Sequence, residues 1–294
     1  MTVETKDLTA GELIKPSSKI TIDYDDEKHR YKLNGEPVPS VTQILDAVLP
    51  KPALTWWGFR IGMAATIELM RADKLSLGDV LGGHDDHQRI VDGDPTSEFA
   101  VVRGEGSRAK EKTLVEYLAQ ENQLDPNAVK KLAAGRGTGV HDALNTLGLG
   151  GSPDIEAMPE VQRPYCLGLL QWWLDGDERE IKIMEWPVAS LTHGYAGRFD
   201  LIYEDANGLL VLADLKTSKA NRPDSFYRQL MAYKIAWEEM GGRQIDRLEV
   251  ILCKPDATYA VYDATSKVTE EVWLGAVEAF KANESFKALQ RVKK

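Results

Sequence analysis

The chain has 294 residues, 43% hydrophobic and 28% charged, and its 36 basic against 46 acidic residues leave a net charge of −10. At roughly 150 residues per domain that is room for about two domains or one elaborated one, and no apolar run approaches the roughly 18 residues a membrane span needs. The charge excludes a basic surface that coats DNA non-specifically, so a phosphate partner needs a local patch or a metal. Only Cys166 and Cys253 are cysteines, without C-x-x-C spacing. That excludes a disulfide framework, a four-cysteine zinc site and a self-contained Fe–S cluster.

The first twenty residues, opening Met1-Thr2-Val3-Glu4-Thr5-Lys6 with no apolar segment, read as a loose leader, so a cytoplasmic and not a secreted protein is expected. Residues 19–23 and 29–33 alternate like strands, and Asn34-Gly35 turns the chain out of them. Ser40-Val41-Thr42-Gln43 fits a capping box that opens a short helix over 41–48, closed by Pro50 and Pro52. Helical spacing runs over 53–71. Residues 76–104 are polar and weakly periodic, which predicts a loop or insertion. Helical patterns resume over 107–123, and Asp125-Pro126 opens another helix.

A glycine-rich stretch at 135–139 precedes a helix into Asn145, and Gly148-Leu149-Gly150-Gly151-Ser152-Pro153 reads as a linker. Residues 159–174 make an amphipathic helix. Three strands follow over 182–190, 195–203 and 209–216, the last two joined at Asn207-Gly208. A helix over 224–240, strands at 247–253 and 259–262, and a helix from 269 to about 289 complete the chain. The order predicts an α+β core with a helical N-terminal half. The expected divisions are 1–36, 37–152 with an insertion at about 72–130, and a core at 153–294.

Chemistry concentrates between residues 197 and 216. Gly197-Arg198-Phe199-Asp200 ends in a carboxylate, and an apolar strand runs into Asp214-Leu215-Lys216. Alternation puts Asp214 and Lys216 on one face and Leu215 on the other. The triplet alone is uninformative, because Glu4-Thr5-Lys6, Asp26-Glu27-Lys28 and Glu180-Ile181-Lys182 share its form. Only Asp214 follows a continuous apolar strand, where a buried charge must be paired or metal-bound. A structural ion pair and a metal site with an ammonium helper both satisfy that condition.

His141 follows Gly137-Thr138-Gly139-Val140 at a helix start. His84 and His87 flank Asp85-Asp86, which reads more simply as a solvated acidic loop than as a metal box. Gln229 and Tyr233 are four apart on one helix face, as substrate contacts or as helix surface and core. Trp56-Trp57 fits a core pair better than a base-stacking platform.

The order Gly137-Thr138-x-x-His141, Gly197-x-x-Asp200, Asp214-x-Lys216 and Gln229-x-x-x-Tyr233 resembles the RecB-like branch of the PD-(D/E)XK nuclease superfamily. Pro39-Ser40-Val41-Thr42-Gln43-Ile44-Leu45, Leu54-x-x-Trp57 and Asp214-Leu215-Lys216-Thr217-Ser218-Lys219 are further similar to the mitochondrial genome maintenance exonuclease and its bacteriophage relatives. The likeness spans about 37 to 290, without the insertion. It implies a restriction-endonuclease-like core, a mixed central sheet flanked by helices, and metal-dependent hydrolysis of DNA, here by an exonuclease of recombination, repair or replication acting on single strands with a free end. A structure-specific endonuclease or flap nuclease, or a silent DNA-binding module, are the alternatives.

On that resemblance His141, Asp200, Asp214 and the carbonyl of Leu215 hold Mg2+ or Mn2+, and Glu185 matches a less constant family glutamate. Lys216 orients water, stabilises charge or accepts a proton. Gln229 and Tyr233 hold the strand or position the metal helix, while Arg136, Thr217 and Ser218 contact substrate. Arg103, Arg108, Lys110, Lys112, Lys130 and Lys131 supply local positive charge. Recombination or replication proteins are the expected partners. Asn145 stands where many relatives carry Glu, and the four cysteines of cluster-bearing relatives are absent.

Overall fold

The computed structural model describes residues 20–25, 30–49, 126–176, 179–217 and 223–292. The helices expected over 53–71 and 107–123, the 76–104 insertion, Trp56-Trp57, His84, His87 and Ser218 lie outside those residues. So do Arg103, Arg108, Lys110 and Lys112. The chain divides into two units, Met1–Pro50 with Gly135–Lys294, and Lys51–Ala134. Every element below lies in the first, except that one helix begins in the second.

Three short strands open it: β1 (Ile22–Asp25), β2 (Arg30–Leu33) and β3 (Glu36–Val38), antiparallel in that order. Asn34 and Gly35 both take positive φ, the conformation the Asn-Gly dipeptide favours in a two-residue hairpin. α1 (Val41–Val48) begins as its sequence requires. Ser40 Oγ accepts from the Gln43 amide at 3.1 Å, and Gln43 Oε1 accepts from the Ser40 amide at 2.9 Å.

α2 (Pro126–Gly148) is one helix through Gly135, Gly137 and Gly139, where the glycine stretch predicts a break. Each helical glycine costs about 1 kcal/mol, and two tertiary features offset it. Val140, Ala143 and Leu144 are fully buried, and Gln162 packs on the glycines. Its Nε2 donates to the Gly135 carbonyl at 3.0 Å, and a Cβ on Gly139 would lie 2.6 Å from its Oε1. α3 (Arg163–Leu174) starts four residues later than the periodicity predicts. Arg163 bonds the carbonyls of Met158 and Glu156, so the preceding residues form turns.

The main sheet has the order β4-β5-β6-β7-β8: β4 (Glu180–Ser190), β5 (Tyr195–Glu204), β6 (Leu210–Lys216), β7 (Arg247–Cys253) and β8 (Tyr259–Asp263). β6 and β7 are parallel, joined through α4 (Pro223–Glu239), and all other neighbours are antiparallel. α5 (Glu270–Val292) ends the chain. One sheet face packs on α1, α4 and α5, with Trp237 and Trp273 fully buried. The opposite face packs on α2 and α3 through Leu144, Leu169 and Trp172. This mixed α+β architecture agrees with the expected fold class. Among the described residues no helix is long and apolar enough to cross a membrane.

Two local departures from regular pairing matter for the chemistry. Along β4, Trp186 and Val188 pack toward α4, but so does Ile183, while Met184 packs on the opposite face. Alternation therefore reverses at Glu185, whose φ of +47° is the left-handed value that side chains other than glycine rarely adopt. Strand β5 reverses at the facing position. Phe199 and Ile202 point toward α4, Leu201 and Tyr203 away, and Asp200 stands at the crossover.

Candidate active site

The β5–β6 ladder runs Glu204↔Leu210 through Leu201↔Ala213 and stops one pair short of Asp200 and Asp214. Past that point Asp200 Oδ2 takes the Leu215 amide at 2.6 Å, filling with a side chain the place of a ladder bond. The two aspartates of distant motifs thus meet where the strands part. Leu210 and Leu212 face α4, and alternation carries Asp214 and Lys216 to the same side. Leu215 packs on the other face, as the triplet spacing predicts. Lys216 forms an ion pair with Asp214, and its Nζ lies 5.2 Å from the centroid of the Phe226 ring.

The capping-box segment reaches this point through the backbone. The Ala196 amide donates to the Pro39 carbonyl at 3.1 Å, which seats α1 beside Gly197. No side chain fits at Gly197: a Cβ there would lie 2.6 Å from Tyr233 Cε1 and 3.3 Å from Val41 Cγ2. Gly197→Ala is expected to destabilise the fold by about 1–3 kcal/mol through overpacking and to push Tyr233 off its seat. Urea unfolding measures the first effect, and an unchanged midpoint would show slack between β5 and α4.

His141 comes from α2. Its Nδ1 lies 2.7 Å from Glu185 Oε1 and 3.7 Å from Asp200 Oδ1. Ligand atoms of His141, Glu185 and Asp200 all fall within 4.8 Å of one another. Arg198 Nε forms an ion pair with Glu185 Oε2 at 2.9 Å, so the glutamate is held on both sides. On α4, Gln229 Nε2 donates to the Tyr233 hydroxyl at 2.9 Å. Both aspartates lie at the buried floor of the site, Asp214 0% and Asp200 7% exposed.

Electrostatics follow from that burial. Burial alone would lower the His141 pKa, but the Glu185 bond and the charges of Asp200, Glu185 and Asp214 outweigh it and raise it to about 9. Burial and then the Asp214 charge push Asp200 up to about 7, against the pull of His141 and Lys216. Burial disfavours the Lys216 ammonium, yet Asp214 and Asp200 hold its pKa above the ordinary lysine value. Tyr233 is held well above its ordinary value by burial and by Asp214. Without a cation, then, Lys216 is an ammonium, and it is no general base until its pKa is lowered.

The donor set fits a divalent metal. The Asp214 carboxylate is buried, and among the described residues its Oδ1 has no hydrogen-bond partner while its Oδ2 meets the Lys216 ammonium; such groups are stable only when paired or metal-bound. Carboxylate oxygens with one imidazole suit Mg2+ or Mn2+. The three-ligand cluster contains Glu185 and not Asp214. The glutamate thus stands closer to His141 than its ranking as a less constant family position implies.

A cleft of about 720 Å³ lies over part of this cluster. His141, Glu185, Asp200, Gly197 and Tyr233 line it, with Arg198 and Asn145. Of the other expected site residues, Thr217 lies against Gly137, 4.0 Å from the position of a Cβ there. Arg136 lies elsewhere, stacked over the Tyr165 ring at 5.4 Å. Sequence reasoning passed over Arg198, though the Gly197-x-x-Asp200 motif contains it. It also passed over Tyr24 and Tyr31 on the cleft rim, for which the only signal was strand alternation.

Residues 114–293, more than half of the chain, match the PD-(D/E)XK nuclease superfamily. The chain belongs to the PD-(D/E)XK nuclease superfamily. Its members are metal-dependent nucleases. A search of curated proteins finds no match. Among solved structures, the crystal structure of SSO0001 aligns at 18% identity over 43% of this chain, with a TM-score of 0.30. The alignment covers 62% of that protein's length.

Proposed function

We propose that this chain is a metal-dependent DNA exonuclease, cytoplasmic, that hydrolyses phosphodiester bonds from the free end of a single strand in recombination, repair or replication. The observation that carries the reading is the convergence of Asp200, Asp214 and Lys216 where β5 and β6 part, closed over by His141 and Glu185. His141, Asp200, Asp214 and the Leu215 carbonyl, with Glu185 as an added carboxylate, would hold Mg2+ or Mn2+. When bound, that cation supplies charge neutralisation at the phosphate.

The chain's own groups do the rest. Lys216, kept charged by Asp214 and Asp200, would donate to a phosphate oxygen and orient the attacking water; the water oxygen bonds phosphorus as the bond to the sugar oxygen opposite breaks, and the water's proton ends on that departing oxygen. Gln229 fixes the Tyr233 hydroxyl at the cleft wall. Arg198, half-exposed and paired through Nε with Glu185, presents the outer part of its guanidinium to the backbone of the strand. Thr217, beside Gly137, would touch a neighbouring phosphate.

End-dependence rests on the likeness of Pro39-Ser40-Val41-Thr42-Gln43-Ile44-Leu45 and Asp214-Leu215-Lys216-Thr217-Ser218-Lys219 to the mitochondrial exonuclease and its phage relatives. A cleft of about 720 Å³ also has room for a nucleotide-sized segment of a strand. Linear and circular single strands of one sequence provide the test. The linear strand should be degraded in Mg2+ while the circle survives. Equal rates would move the chain to the endonuclease reading.

A further inference from the structure

The small β1–β3 sheet supplies none of the carboxylates, the imidazole or the lysine, yet it forms part of the cleft wall. It docks by packing Tyr31 and Leu33 on Ala189 and Ala196, beside the turn between β4 and β5. What it brings to the cleft is aromatic surface. Tyr24 and Tyr31 are direct cross-strand partners on one face of the hairpin. Their ring centroids are 4.6 Å apart at an interplanar angle of 34°. Tyr31 is 9% exposed and so is held in place, while Tyr24 is half-buried and rests on it.

The remaining lining is mostly polar, including Ser40, Thr42, Thr138, Asp142, Asn145 and Arg198. A strand in such a cleft has two chemistries to satisfy, a charged backbone and an apolar base. Arg198 suits the first, and a fixed tyrosine ring suits the second. Resting on the nuclease reading above, we propose that Tyr24, backed by Tyr31, is the stacking platform for one nucleobase of the strand beside the scissile phosphate. Every base has a π face, so this subsite positions the strand without selecting sequence.

The test is binding of a single-stranded oligonucleotide carrying 2-aminopurine at one position at a time, with Ca2+ as the only divalent cation. Fluorescence should be quenched at one position. Tyr24→Leu, which still packs on Tyr31 but has no π face, should lose that quench and bind roughly ten-fold more weakly. Tyr24→Phe should keep both. An abasic residue at the quenched position should weaken the wild-type protein by the same factor and leave Tyr24→Leu unaffected. Equal losses for Tyr24→Leu on abasic and base-bearing strands, or a quench that survives the substitution, would overturn the proposal. A wild-type protein that cuts the strand in Mg2+ but quenches at no position would overturn the subsite alone. One that neither binds nor cuts would overturn the nuclease reading and the subsite with it.

Discussion

Asp214→Ala and Lys216→Ala are each expected to lower turnover by at least about 10³-fold, the scale on which removing one preorganised charge-stabilising group acts. Affinity for single-stranded DNA should change little, because binding draws on many phosphate contacts and the chemistry on one site. The two residues are also a buried pair, with side chains 1% and 20% exposed. Truncating one leaves the other uncompensated, at a cost on the order of 3–5 kcal/mol. Asp214→Asn and Lys216→Met therefore accompany the alanine variants, since they keep volume while removing charge. Folded variants that bind DNA and turn over at a near-normal rate would remove both residues from the chemistry.

Metal affinity should depend steeply on pH. A cation binds the deprotonated forms of His141 and Asp200, and both are held protonated to unusually high pH, about 9 and about 7. Below pH 7 binding must expel two protons, so affinity should rise by up to about 100-fold per unit; between 7 and 9 it must expel one, giving about 10-fold per unit. Above 9 it should level off. His141→Ala should abolish the upper limb and weaken the metal more than the DNA, with excess Mn2+ partly restoring activity where Mg2+ does not. Calorimetric titration of the DNA-free protein from pH 6 to 9.5 measures these slopes. An affinity independent of pH above 7, or unaltered in His141→Ala, would demote the histidine to a structural part.

What could be read in advance was what short-range geometry controls. The capping box places α1, Asn207-Gly208 turns β5 into β6 with Gly208 at φ +76°, and two-residue alternation puts Asp214 and Lys216 together. Spacing also kept Gln229 and Tyr233 on one helix face, where they share a hydrogen bond. Tertiary contacts decided the rest. The glycines of α2 are tolerated because Gln162, from another element, packs on them. The reversal at Glu185 has no local signal at all, since glutamate at positive φ contradicts propensity. Glu185 and Asp200 face each other across β4 and β5 there, and the strain accompanies the site. Tyr24 and Tyr31 reach the cleft only because the hairpin docks on Ala189 and Ala196, a contact that no pattern within residues 20–33 encodes.

The central claim is that the groups gathered around Asp200 make a metal-dependent nuclease. It is tested most directly by incubating an end-labelled linear single strand with the wild-type protein in Mg2+, in Mn2+ and in excess chelator. Cleavage should occur with either metal, stop on chelation and return when metal is restored. Cleavage that survives chelation, or a folded protein that leaves the strand intact in both metals, would contradict it.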